Sequence, residues 1–298
     1  MILSKGLIGD KPSTNSFDRP IVAVTMATGR QGSSLIKHLA KNGKFSIRAI
    51  TRNPLASKAL ELAKLANVKV YKGDLLDKNS LTKCFEGVYA VFGNTTPTLG
   101  WKIIRGSMVT SYEMEQGKNL IEAVKESSLN NDLKHFIFSS VCKPKDPLKN
   151  NPAPAHFSSK WSIEDYISLN GLDSITTVIR PVSYFENFNS DLPGVQISKN
   201  IFPGVVNPNS LWQTIAVDDI GLWSLAVLLN PQRFLGQSIN IAGEELTGNQ
   251  MAAVLQKIVG LSDQKVRYAM IPRIIINFIE HDIGMMASWI ERTGYGAD

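Results

Sequence analysis

One stretch limits what this chain can fold into more than any other: IVAVTMATGRQGSSLIKHL, residues 21–39. A run rich in β-branched residues, Ile21-Val-Ala-Val-Thr25, is followed by the turn Met26-Ala-Thr-Gly29-Arg-Gln-Gly32 and then by a helix-forming segment. Strand, glycine turn and helix in this order form the pyrophosphate-binding opening of a parallel α/β sheet. Gly29 lets backbone approach a pyrophosphate, Gly32 lets the helix pack against the sheet, and the helix start offers free N–H groups and a positive dipole end. Met26 stands where such a turn normally opens with glycine. A side chain is comfortable there only if the backbone keeps a negative φ. The sequence therefore predicts a negative φ at Met26 and a loop that holds a dinucleotide less tightly than a full glycine set would. The alternative is a sharp strand-to-helix turn with no ligand.

Along the chain, short Val/Ile-rich runs near 21–25, 46–50, 68–71, 88–92, 134–139 and 174–180 alternate with helical patterns at 31–42, 55–66, 78–85, 112–128 and 157–169. That alternation predicts an α/β fold, a doubly wound parallel sheet of the Rossmann type with a smaller C-terminal lobe. Beyond Pro181 it weakens. Pro203, Pro208 and Pro231 interrupt the chain, and 249–260 and 272–290 read as helices. The expected organisation is a poorly ordered leader over 1–20, a dinucleotide-binding domain over 21–183 and a smaller α/β lobe over 184–298, with one or more strands returning to the main sheet.

Composition excludes several classes. The 298 residues are 43% hydrophobic and 19% charged, ordinary values for a globular protein. Two cysteines, Cys84 and Cys142, give neither metal-type spacing nor a disulfide framework, which points to a reducing cytoplasm or nucleus. The apolar run Ile220–Leu229 is far shorter than the roughly 20 residues of a membrane span. The net charge of +6 is spread along the chain, so neither nucleic acid nor membrane is an expected partner.

Two further residues bear on the dinucleotide. Arg52 follows the second strand, where an acidic residue would hold the ribose 2′-hydroxyl of NAD; arginine suits a 2′-phosphate and hence NADP. Asp74, in Gly73-Asp74-Leu75 after the third strand, either holds an adenine edge or caps the next helix.

ATGRQG, TRNP at 51–54, GDLLD at 73–77, QGKNLIEAVKES at 116–127, HFIFSSV at 135–141, HFSSKWSIEDYI at 156–167, RPVSYFENF at 180–188 and the terminal GYGAD together resemble the NmrA-like and HSCARG-like atypical short-chain dehydrogenases. The resemblance covers most of the chain and implies an NADP(H)-binding redox sensor and transcriptional regulator. It places Met26, Ala27, Thr28, Gly29, Arg30, Gln31, Gly32, Arg52, Asp74, Leu75, Thr95, Thr96, Lys160, Tyr184, Phe185, Glu186 and Asn187 at cofactor positions. Glu115 departs from it, standing where a family member carries a cofactor-contacting lysine, and its charge would repel phosphates.

His156-Phe-Ser-Ser-Lys160 occupies the place of the Tyr-x-x-x-Lys pair of active short-chain dehydrogenases. In that pair, lysine lowers the tyrosine pKa so that the hydroxyl can exchange a proton with substrate. Here the tyrosine is replaced. His156 reads as an acid or base, or as a structural residue at a helix start; Lys160 reads as a ribose or nicotinamide anchor; Ser139 and Ser140 read as carbonyl-orienting groups or strand-end caps. Two functions follow. The first is a non-catalytic NADP(H) sensor, monomer or homodimer, that docks on a regulatory protein such as a transcription factor. The second is an NADPH-dependent reductase of the isoflavone reductase-like type using Lys160. A deep apolar pocket beside Lys160, lined by aromatics such as Phe157 or Tyr184, would favour the second.

Overall fold

The computed structural model describes residues 19–97, 106–129, 132–143, 153–189, 201–259, 265–279 and 281–296. All but the last two residues of the expected leader lie outside them. The chain opens with β1 (Ile21–Val24), α1 (Arg30–Asn42), β2 (Ser46–Thr51), α2 (Ser57–Ala63), β3 (Val68–Lys72), α3 (Lys78–Phe85) and β4 (Ala90–Asn94). It continues through α4 (Gly106–Leu129), β5 (His135–Ser139), α5 (Ala155–Leu169) and β6 (Thr176–Pro181). Local chemistry sets several ends. The Asp77 carboxylate accepts the Ser80 N–H at 3.2 Å and starts α3. Gly43 closes α1 at φ +75°, its N–H donating to the Leu39 carbonyl.

After β6 come β7 (Ser183–Tyr184), β8 (Ile201–Gly204), β9 (Leu211–Ile215), α6 (Val217–Leu229), α7 (Pro231–Phe234) and β10 (Ser238–Ile241). β11 (Glu244–Thr247), α8 (Gly248–Val259), β12 (Arg267–Met270), α9 (Arg273–Ile279) and α10 (His281–Thr293) complete the described chain. The span 272–290, read as helical in the sequence, thus holds α9 and most of α10. The main sheet has seven parallel strands in the order β10-β6-β5-β4-β1-β2-β3. β7, β9 and β11 form a three-stranded sheet, and β8 pairs with β12. Among the described residues β8 pairs only with β12, an edge position that tolerates Pro203.

Both faces of the main sheet are covered, which is why its strands read as continuous apolar runs. Val22 and Val24 pack with Leu35, Ile36 and Leu39 of α1 and Ile220 and Leu228 of α6. Ala23, between them, packs on the opposite face with Phe85, Leu120, Val124 and Ile163 of α3, α4 and α5. The α1–α6 crossing is close: a Cβ on Gly221 would lie 2.1 Å from Ser34 Oγ. Strand order reverses between β1 and β4, and such a switch point opens a crevice at the carboxyl ends of the strands.

Candidate functional site

The turn after β1 lies at that switch point and is pinned on both sides. The Thr25 N–H donates to the Phe92 carbonyl on β4 (3.0 Å), whereas the Ala27 N–H donates to the Ile50 carbonyl on β2 (3.0 Å). Between them the chain crosses from one neighbouring strand to the other, and Met26 makes the crossing at φ +47°. This corrects the expectation of a negative φ: the residue that replaces glycine occupies the left-handed conformation glycine would adopt freely. The Met26 carbonyl then accepts the Gly29 N–H at 2.8 Å. A Cβ on Gly32 would lie 2.5 Å from the same oxygen, so α1 packs closely under the turn. α1 begins after Gly29 with no side-chain cap and no acidic residue in its first turn, which leaves its N–H groups to an anion.

Two chambers meet at this turn. The first, about 210 Å³, lies between the ends of β1, β2 and β3 and is lined by Thr28, Ile50, Arg52, Asp74, Leu75 and Gln116 among others. The second, about 460 Å³, lies toward β5, β6 and α10 and is lined by Gln31, Ser140, Val141, His156, Phe157, Lys160, Val182, Tyr184, Asn187, Met286 and Tyr295 among others. Met26, Gly29 and Thr96 border both. A diphosphate placed at Gly29 would send one nucleoside into each chamber. Among the described residues, Ser140 Oγ and Gln31 Oε1 are buried without a hydrogen-bond partner at the second chamber, polar atoms that a ligand would satisfy. The residues present therefore fit a dinucleotide.

Lys160 is deeply buried. Its ammonium donates to Thr95 O at 2.7 Å, Thr95 Oγ1 at 2.9 Å and Asn94 Oδ1 at 2.9 Å, with Ser139 O at 3.3 Å. Glu113, fully buried on α4, stands 3.3 Å away. Burial pushes the Lys160 ammonium down from its ordinary value and Glu113 opposes that push. Three short acceptors besides the carboxylate are served only by the three N–H bonds of the charged form. Glu113 also accepts from Thr95 Oγ1 at 2.8 Å and from the Ser159 hydroxyl, so the network is satisfied without ligand. One turn earlier on α5, the His156 ring hydrogen-bonds through Nδ1 to the Asp282 carboxylate of α10. The same carboxylate accepts the Ala155 N–H at 2.6 Å and the His156 N–H at 3.2 Å, capping α5. Burial pushes the Asp282 carboxyl up, but the His156 ring and the two N–H groups outweigh it and hold it below its ordinary value.

The sequence model of the NmrA-like family matches residues 19–297. The chain belongs to the NmrA-like family. Among its relatives, the nitrogen metabolite repression protein nmrA of Emericella nidulans is 29% identical, covering 86% of this chain and 69% of the relative. An NmrA-like oxidoreductase, hkm9 of Aspergillus hancockii, is 26% identical over 83% of this chain and 74% of the relative. The crystal structure of the negative transcriptional regulator NmrA with NADP superposes with a TM-score of 0.73 at 25% identity, covering 93% of this chain and 82% of that one. NmrA has also been solved with NAD, with the same score and coverage.

For this NmrA-like chain, the structure gathers Met26, Thr28, Gly29, Arg30, Gln31, Gly32, Arg52, Asp74, Leu75, Thr96, Lys160, Tyr184 and Asn187 along the two chambers, with Thr95 at the second. Ala27 is buried in the core, and Phe185 and Glu186 line neither chamber. Glu186 instead accepts the Val217 N–H at 2.9 Å, at the start of α6. Asp74 Oδ1 accepts the Leu76 N–H at 3.0 Å, and Asp77 rather than Asp74 caps α3. Arg30 and Gln31 reach across to Asn187 (2.7 Å) and the Tyr184 hydroxyl (2.5 Å), tying α1 to β7 and the segment after it. Glu115 is exposed on α4 and lines neither chamber. Glu113, two residues earlier, is the carboxylate that matters. A signal for it exists, since Glu113, Gln116, Gly117 and Leu120 fall at helical spacing on the buried stripe, from which Glu115 is displaced. Asp282, Met286 and Tyr295 had no such signal; more than a hundred residues separate them from His156.

Proposed function

We propose that this NmrA-like protein binds NADP(H) across the two chambers and reduces an apolar carbonyl compound at the nicotinamide end. The observation that carries the reading is the second chamber. Its volume of about 460 Å³ falls in the range of small-molecule sites, about 300–1,000 Å³. It lies beside Lys160 and has walls of Phe157, Tyr184, Tyr295, Met286, Val141 and Val182. That is the feature the reductase reading requires, a chamber with apolar walls where the nicotinamide nucleoside would lie. Arg52, exposed at the first chamber, would take the 2′-phosphate. Gly29 and the start of α1 would take the diphosphate, and Lys160 with Thr95 would border the nicotinamide ribose. The bound dinucleotide supplies the reducing equivalent. The solved NADP complex of NmrA and the oxidoreductase relative support this reading.

A regulatory reading is favoured by a different observation. The acid–base tyrosine is replaced by His156, and all three N–H bonds of Lys160 are engaged by the protein itself. On that reading dinucleotide occupancy alters docking on a regulatory protein such as a transcription factor, in keeping with the repression protein among its relatives. Calorimetric titration with NADP, NADPH, NAD and NADH, followed by single-turnover assays with aromatic aldehydes, separates the readings. Tighter NADP(H) binding with turnover supports the reductase, and binding without turnover supports the regulator. No dinucleotide binding at millimolar concentration removes both.

A further inference from the structure

We infer that His156, oriented by Asp282, is the proton donor for reduction of an aromatic aldehyde or ketone in the second chamber. The inference rests on the reductase reading above and names its acid. The motivation is geometric. His156 begins α5 and lines the chamber, and its Nδ1 faces a carboxylate on α10 that is itself fixed by two backbone N–H groups. A carboxylate on Nδ1 holds a ring hydrogen there, which leaves Nε2 as the nitrogen through which the ring would pass a second hydrogen to the chamber. Among the described residues no hydrogen bond involves Nε2.

Packing fixes the ring as well. Phe157 meets His156 edge-on at 4.7 Å between centroids and packs in turn on Trp289 at 5.3 Å and Tyr295 at 6.1 Å, clamping α5 to α10. The same aromatic wall suits a flat aromatic body, while the unpartnered Ser140 Oγ offers a hydroxyl to the carbonyl oxygen. Lys160 is the other basic group on α5 at this chamber, and Glu113, Thr95 and Asn94 already hold its protons. His156 is therefore the basic group on α5 whose second ring nitrogen is unbonded among the described residues.

The balance is that of a two-electron reduction. The carbonyl carbon receives a hydride from the reduced nicotinamide dinucleotide, the C=O π bond breaks, and the oxygen takes the Nε2 proton of His156. An alcohol and the oxidised dinucleotide result, and the neutral imidazole is reprotonated from water with Asp282 holding the ring. Asp282 acts through His156 and is a positioning residue.

The test uses the full chain with NADPH and two probes, 2-naphthaldehyde and 4-nitrobenzaldehyde. In single-turnover experiments, His156→Gln should slow reduction at least about 100-fold, as loss of a general acid does, while NADPH affinity by calorimetry stays within about twofold. Independently of turnover, ¹⁵N-histidine NMR should show the His156 Nε2 resonance moving when 2-naphthalenemethanol, the alcohol product, is added to the NADP-bound protein, and Asp282→Asn should change the ring's tautomer signature. Asp282 caps α5, so His156→Gln, which leaves that cap in place, guards against a folding defect. Parental rates in His156→Gln, or an Nε2 resonance indifferent to the alcohol, overturn the inference. A parent that binds NADPH but reduces neither probe also overturns it, leaving dinucleotide binding standing. A parent that does not bind NADPH fails the proposed function itself.

Discussion

Replacing Met26 by glycine should stabilise the protein, and the size of the effect follows from the turn. A non-glycine residue in the left-handed region carries a cost of about 1–2 kcal/mol from the approach of Cβ to the following carbonyl. Met26 cannot relax away from φ +47°, because Thr25 is bonded to Phe92 and Ala27 to Ile50 on either side of it. Glycine removes the strain but adds back about 0.5–1 kcal/mol of chain entropy in the unfolded state. The expected net gain is therefore about 0.5–1 kcal/mol, a rise in Tm of about 1–4 °C for a chain of this size. Because the strain is present in the folded protein with or without ligand, its relief appears in stability and not in affinity. Affinity responds to the side chain, which borders both chambers. Met26→Ala separates the two effects: it keeps a Cβ, and so the strain, but clears the cleft. Differential scanning of the three proteins without ligand should give glycine above alanine, with alanine near methionine. Calorimetry with NADPH should give tighter binding for alanine and glycine alike. A glycine variant no more stable than the alanine variant would refute the strain argument. Unchanged affinity in both would show that Met26 does not obstruct the cleft.

Three other substitutions test separate parts of the site and fold. Arg52→Asp should cut the preference for NADPH over NADH by roughly tenfold, the lower end expected of an exposed charge-assisted contact worth about 1.5–3 kcal/mol; an unchanged ratio of affinities would show that Arg52 does not read the 2′-phosphate. Glu113→Ala leaves the buried Lys160 without its counter-charge and should cost about 3–5 kcal/mol in urea unfolding; a loss below about 1 kcal/mol would mean that the network does not hold this part of the fold. His135, fully buried on β5 with Nε2 2.8 Å from Thr177 Oγ1, is pushed down to about 4 by burial from an unfolded value near 6.5. Between those values the unfolded chain binds the proton that the folded chain excludes. The stability due to its neutral ring is therefore complete above about pH 6.5 and falls by about 3 kcal/mol as pH drops to 4. His135→Gln should flatten that part of the urea-midpoint profile between pH 7 and 4, and an identical slope in variant and parent would refute it.

Six strands of the main sheet were legible to within about two residues because a strand buried on both faces shows an unbroken apolar run, as VAV at 22–24 and FIF at 136–138 do. The strands after β6 were not. β7 has two residues and β8 carries Pro203, while β9 and β11 are four or five residues long and place polar groups such as Thr214 inside. Neither length nor alternation marks such strands. The run at 220–229 is the helix α6, apolar nearly all round: one face packs on α1, while Leu222 and Trp223 stay partly exposed. In the site, whatever depends on neighbours in sequence was visible: the glycines under the diphosphate position, Arg52 at the end of β2, and Lys160 four residues after His156. The Met26 dihedral was not, because it is set by hydrogen bonds to β4 and β2, which lie beside β1 only once the sheet has formed.

The two chambers draw on different parts of the chain, and this separates binding from chemistry. Apart from Leu81 on α3 and Tyr112 and Gln116 on α4, the first is built from the turn after β1 and the ends of β2, β3 and β4, elements that succeed one another closely along the sequence. The second needs Met286 and Tyr295 from the far end of the chain, and its histidine needs Asp282 from α10. Asp282 divides its two oxygens between tasks: Oδ1 takes the Ala155 N–H, and Oδ2 takes the N–H and the ring of His156. The carboxylate that starts α5 is thus the one that aims its first functional side chain. α10 can orient that side chain only while it is docked on α5 through Phe157, Trp161 and Trp289. A change that loosened this aromatic contact would leave Gly29 and Arg52 where they are and would act on the second chamber alone.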